Sequence, residues 1–131
     1  MNLVQDNAQA KAILGKVFET EFCEPCIGFL FQDENSVIHG VAILNNYAKH
    51  CSISLTFAGR SSVRPFRQIS RYVFDVLRVR RVSAVVRVSN TKSQRILERL
   101  GFVQEGVLRD YFDDENGIIY GLLRQDFKLR F

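Results

Sequence analysis

The chain has no long hydrophobic run. Its longest fully apolar stretches are residues 26–31 and 41–44. A membrane-spanning helix needs about 20 such residues, so no membrane partner is expected. Gln5, Asp6 and Asn7 break any apolar core near the start, so no secretory leader is expected there. Cysteine is scarce and odd in number: Cys23, Cys26 and Cys51. Disulfide scaffolds use denser, even sets, so a reducing cytoplasm fits better. Cys23 and Cys26 have the spacing of a redox or zinc knuckle, but a second ligand pair is missing, because His39 and His50 do not stand at finger spacing. Two thiols at a strand entrance, with no metal, is the plainer reading. Internal repeats and low-complexity segments are also absent, which excludes solenoids and coiled coils.

What remains is ordinary globular material. The 131 residues suit one domain spanning 1–131. The net charge of +4 rests on thirteen arginines against five lysines. Arginine's planar fork donates two hydrogen bonds together and suits phosphate groups. A phosphate-bearing partner is indicated, either a nucleotide-like cofactor or nucleic acid. Solvated surface charge is the bland alternative.

Residues 7–18 read as a helix with Asp6 or Asn7 as N-cap. Residues 26–32, 36–44 and 51–57 read as three strands joined by hairpins, with a turn starting at Asn45 and Asn46. Ile53, Leu55 and Phe57 share one face of the third. Residues 61–77 read as a helix, with Val63, Phe66, Ser70, Val73, Phe74 and Leu77 at apolar spacing. Arg64, Arg67, Arg71 and Arg78 form an adjacent flank at the same period. A strand over 82–88, a helix over 91–100 between Asn90 and Gly101, and strands over 102–111 and 118–127 complete the chain. The turn joining the last two spans 113–117. The order α-β-β-β-α-β-α-β-β implies an α/β (α+β type) fold: a mixed, mostly antiparallel sheet with flanking helices.

Two segments carry chemistry. Residues 88–90 end a strand and enter a helix, at the sheet edge where open α/β sheets bind ligands. Asn90 can cap that helix or bond an amide-rich ligand arm, and the two roles are compatible. Ser93 and Leu97 stand at i, i+4 and would line one wall. The second segment is Gly59, Arg60, Ser61, Ser62, Val63 and Arg64. A helix N-terminus offers free amides and a positive dipole end, which together hold phosphate. An ordinary serine-capped helix is the alternative.

Residues 81–127 contain Asn90, Ser93, then Leu100, Gly101 and Phe102, then Glu105, Gly106 and Arg109. This pattern resembles the GNAT superfamily of acyl-CoA-dependent N-acetyltransferases, particularly its ribosomal-protein and antibiotic N-acetyltransferase branch. The resemblance implies acetyl-CoA as co-substrate, held by Leu55, Thr56, Phe57, Gly59, Arg60, Ser61, Ser62, Val63, Arg64, Asn90, Ser93 and Leu97. It implies an oxyanion-binding backbone amide near residues 55–57 and a pyrophosphate on residues 59–64. In that loop one glycine of the family's pattern remains. The family's frequent tyrosine acid falls on Leu97, so that acid is missing. Replacement acids are Ser93, Tyr111 or Tyr120. Candidate bases are Glu21, Glu24, His39, His50 and Asp113. Glu105 and Gly106 read as structural, at a bulge or close approach.

The expected activity is acetyl transfer to an amine acceptor by direct attack in a ternary complex. The acceptor, a small molecule or a protein, would approach over the first helix and the 111–120 hairpin. There Asp110, Asp113, Asp114 and Glu115 would attract a cation. The alternative is a fold that has lost catalysis, or a basic nucleic-acid adaptor using the arginine flank. Acceptor identity is not readable, and a homodimer is left open.

Overall fold

The computed structural model describes residues 1–22, 25–60 and 62–127. The elements are β1 (Asn2–Gln5), α1 (Asn7–Phe18), β2 (Ile27–Gln32), β3 (Ile38–Ala48), β4 (Ser52–Gly59), α2 (Val63–Arg71), β5 (Arg81–Arg87), α3 (Thr91–Leu100), β6 (Val103–Phe112) and β7 (Glu115–Leu123). One sheet runs in the order β1-β2-β3-β4-β5-β7-β6. Among the described residues, only the β4–β5 pair is parallel. This is the mixed, mostly antiparallel architecture expected. The short β1, pairing with β2, is not among the expected strands: four residues are too few to show an alternation.

The sheet separates two cores. On one face α1 buries Ala10 and Leu14 against Leu30, Val41 and Ile43. On the other, α2 and α3 cover Phe29, Phe31, Leu44, Leu55, Phe57, Val82 and Val86. β2 and β3 are therefore buried on both sides, which is why they read as continuous apolar runs. Phe66 of α2 meets Phe31 and Phe57 at ring distances of 5.3 and 5.1 Å.

Asp6 caps α1, accepting from the Gln9 N–H at 3.0 Å. Asn7 instead ties the helix to the sheet, its Oδ1 accepting from the Gly28 N–H at 2.9 Å. Gly28 is where α1 comes closest. A Cβ there would lie 2.5 Å from Ala10 Cβ.

Several boundaries differ from the sequence reading, among them the strand expected over 118–127, which ends at Leu123 and passes into a 3-10 turn at Arg124–Asp126. Asn45 and Asn46 do not start a turn: β3 continues to Ala48, and the register with β4 shifts between Asn45 and Ala48. Asn46 absorbs this bulge with φ 54°, a torsion that asparagine tolerates better than most residues. The helix over 61–77 ends in a π turn at Tyr72–Val76, where the Leu77 N–H bonds Tyr72 O at 3.0 Å. Arg78 then leaves the helix with φ 56°. It therefore drops out of the arginine flank, leaving Arg64, Arg67 and Arg71. Finally, β7 begins at Glu115, so the β6–β7 turn is the Asp113, Asp114 pair rather than five residues.

The bulge expected near Glu105 and Gly106 is present, between Gln104 and Gly106. The close approach it allows is at Gly121, where a Cβ would meet the Glu105 carboxylate at 2.5 Å. That carboxylate pairs with Arg81 at 2.6 Å.

Replacing Gly28 with valine should lever α1 off β2 and cost about 1–3 kcal/mol. Urea unfolding of the variant beside wild type measures this; an unchanged midpoint would contradict the packing described.

Candidate active site

β4 and β5 pair at only three positions: Ser52↔Arg81, Ile53↔Val82 and Ser54↔Ser83. β4 stays bonded to β3 as far as Gly59. β5 stays bonded to β7 as far as Arg87. Each strand thus follows its other neighbour, and a wedge opens between them. Backbone groups along a strand point alternately to its two sides. Alternate residues of 55–59 therefore turn N–H and C=O groups into the wedge, with none of the described strands opposite.

Two clefts meet in it. The smaller, about 300 Å³, is lined by residues 55–59 of β4, by Val85, Val86 and Arg87, and by Asn90, Lys92, Ser93 and Ile96 at the start of α3. Asn90 caps α3, its Oδ1 accepting from the Ser93 N–H at 3.1 Å. It lines the cleft as well, so both of its readings coexist. The first turn of α3 carries no acidic residue of its own, and its N-terminus, the positive end of the dipole, borders the cleft. Leu97 does not line it. It is fully buried in the core, one residue past Ile96, which takes the wall position instead. A helix turns by 100° per residue, so neighbours face different ways.

Gly59 ends β4 with φ 87°. A Cβ there would sit 2.5 Å from His39 O, the carbonyl that also accepts from the Arg60 N–H at 2.8 Å. Of the expected phosphate loop, Arg60 and Arg64 are exposed and line neither cleft. Ser61 lies outside the described residues. Ser62 is the N-cap of α2. With Val63 it lines a separate hollow of about 60 Å³ beside Ile96, Arg99 and Leu100. The structure thus brings Leu55, Thr56, Phe57, Gly59, Asn90 and Ser93 together, and sets the α2 residues to one side.

The larger cleft, about 690 Å³, shares Phe18, Leu55, Thr56, Val85, Arg87 and Phe112 with the smaller. Thr20, Glu21 and Phe22 form one wall, and Tyr111 and Asp113 of the hairpin another. Asn45 and Asn46, at the β3 bulge, also face it. Sequence reasoning missed Val85, Arg87, Lys92 and Phe112. Only the position of Arg87, ending a strand at the sheet edge, could have signalled one of them.

The expected acidic patch divides. Arg87 Nη1 bonds the Asp114 carboxylate and lies 3.4 Å from Glu115 Oε2. Glu115 also accepts from the Ser89 N–H and Oγ–H, both at 2.9 Å. The two Ser89 bonds, then Arg87, hold its carboxyl below the usual carboxylate range. Asp114 and Glu115 are therefore engaged internally, and Asp110 lies off the lining. Asp113 is the hairpin carboxylate that faces the cleft.

The catalytic candidates separate likewise. Glu21, Tyr111 and Asp113 line the larger cleft and Ser93 the smaller. Tyr120 is excluded as an acid there: it is wholly buried, with its hydroxyl 3.4 Å from Glu98 Oε1, and burial pushes its pKa up. His39 pairs with Asp33 at 2.8 Å, and His50 sits in the β3–β4 turn; neither lines a cleft. Glu24 and Cys23 lie outside the described residues. Cys26 is buried against α1. Among the described residues no cluster of His, Cys, Asp and Glu could hold a metal, and no helix is long and apolar enough to cross a membrane.

Replacing Gly59 with alanine forces a strained torsion and a backbone clash at the cleft mouth. It should cost about 1–3 kcal/mol. Thermal unfolding checks this, and a neutral result would mean that the turn relaxes freely.

Solved structures share this fold. A spermidine N-acetyltransferase SpeG mutant (F149A) from Vibrio cholerae superposes with a TM-score of 0.77 at 16% identity, over 99% of both chains. A ribosomal-protein-S5-alanine acetyltransferase from Vibrio fischeri superposes with a TM-score of 0.67 at 20% identity, over 92% of this chain and 70% of that one. No curated protein sequence matches the chain. The family model for the acetyltransferase (GNAT) domain matches residues 2–103. That match takes in β1 to α3, including both strands of the wedge, and so complements the resemblance seen in residues 81–127. The chain belongs to the GNAT family of acetyltransferases.

Proposed function

We propose that this protein transfers the acetyl group of acetyl-CoA to a primary amine, by direct attack in a ternary complex, with the two partners in the two joined clefts. The parting of β4 from β5 after Ser54 carries this reading. It leaves a row of backbone donors and acceptors suited to an amide-bearing arm. The residues present fit such a co-substrate. The 300 Å³ cleft follows residues 55–59 of β4, and Lys92 with the α3 N-terminus supplies positive potential at its side. Gly59 lets the end of β4 lie close against His39 and Gly40 of β3.

When bound, acetyl-CoA supplies an acetyl group activated as a thioester. The chain's own part is positioning and charge. Backbone N–H groups of residues 55–57 are candidates to stabilise a developing oxyanion. Glu21 and Asp113 attract a cationic acceptor into the larger cleft, and either can take the proton that the attacking amine must lose. Ser93 and Tyr111 are the hydroxyls placed to return a proton to a leaving thiolate. With Leu97 in the core, no tyrosine from α3 is needed for this scheme. The basic-adaptor alternative loses ground, because Arg78 has left the arginine flank.

Titration calorimetry with coenzyme A should show saturable one-to-one binding. No heat at millimolar ligand would sink the proposal. Thiol release measured against a panel of amines should then show turnover. Glu21→Gln combined with Asp113→Asn should raise the acceptor KM roughly three- to tenfold, as expected for two exposed charge contacts. Coenzyme A affinity should hold. An unchanged KM would remove these carboxylates from acceptor recognition.

A further inference from the structure

We infer that Arg87 is a positioning residue: it latches the β6–β7 hairpin to the α3 entrance and so fixes the acceptor wall relative to the acyl-CoA cleft. This rests on the two-cleft reading above. Arg87 ends β5 directly opposite Gly117 of β7 and lines both clefts. Its side chain is committed on three sides. Nη1 bonds Asp114 and lies near Glu115, while the guanidinium carbon stands 4.5 Å from the centre of the Phe112 ring. Phe112 is itself part of the neck where the clefts join.

The other end of the latch reaches α3. Glu115 accepts two hydrogen bonds from Ser89, the residue before the Asn90 cap. Gln94 Nε2 of α3 donates to Arg87 O and Val88 O at 3.2 and 2.9 Å. One carboxylate thus joins the hairpin, the strand end and the helix cap.

The hairpin needs such a restraint. Between Leu108 and Phe112 its register slips, with Asp110 at φ 55° and its N–H donating to Asn116 Oδ1 at 2.8 Å, so a side chain stands in for the continuous ladder beside Tyr111 and Asp113. Gly117 makes the geometry possible: a Cβ there would meet Val85 Cγ1 at 2.9 Å and Phe112 at 3.3 Å. A guanidinium keeps its proton under all working conditions and so serves as neither acid nor base. Its role is to set where the acceptor-facing groups stand.

The test pairs hydrogen exchange with kinetics on Arg87→Gln, Glu115→Gln and the double variant. Amides of residues 110–116 should exchange at least fivefold faster in each single variant, with little further gain in the double. The acceptor KM should rise about tenfold, while coenzyme A affinity changes less than twofold. Arg87→Lys should recover part of the protection, since charge returns without the fork. Unchanged exchange at 110–116 would overturn the latch, as would effects that simply add in the double variant. So would a fall in coenzyme A affinity with no change in acceptor KM, because Arg87 would then be a ligand of that cleft. Faster exchange in a protein whose wild type transfers no acetyl group would instead remove the proposed function and leave the latch standing.

Discussion

The three-residue seam between β4 and β5 is the constraint on which the site depends. Parallel strands cannot be joined by a tight turn and need a crossover, here α2. That crossover packs through Phe66 onto Phe31 of β2 and onto Phe57, in the half of β4 beyond the seam, so it covers that side of the sheet without extending the join between β4 and β5. The antiparallel partners on either side do the rest. β3 holds β4, and β7 holds β5, each for longer than the seam itself. The wedge is what remains when two well-bonded half-sheets share one short join.

Chemistry then gathers at the wedge because element ends gather there. The end of β4, the end of β5 and the start of α3 bring backbone amides and a dipole. The end of α1 and the β6–β7 hairpin bring carboxylates and a phenol. Positive potential lies on one side of the neck and negative on the other. Arg87 stands between them with its charge already answered by Asp114 and Glu115. An arginine at that point can therefore coexist with a cationic acceptor.

Much of this was legible from the sequence, for particular reasons. Alternation of Ile53, Leu55 and Phe57 marks a strand with one face on a core, and Asn90 with Gly101 brackets α3 at both ends. Both are local signals. The misreadings come from features that are not local. The π turn at Tyr72–Val76 looks like continued α-helix, since one extra residue in a turn leaves apolar spacing nearly intact. Asn45 and Asn46 carry a turn's composition, but the ladder to β4, Asn45 with Ser54 and Ala48 with Ser52, carries the strand past them with a bulge. Leu97 was assigned to the ligand wall by helical spacing from Ser93, whereas three-residue spacing, to Ile96, describes the cleft side. Arg87 carried no pattern at all. Its partners are 27 and 28 residues away, and only the folded hairpin brings them near.

The slips along β6 have one more effect, on the sheet as a surface. β6 is an outer strand of ten residues, long enough to recruit a stranger. Its pairing with β7 runs in pieces: Val103 and Gln104, then Gly106 to Leu108, then Phe112. A strand kinked twice offers an incoming chain no more than three consecutive residues in register. The opposite edge, β1, has four residues in all. Both borders of the sheet, one short and one crooked, are thus poor templates for further growth.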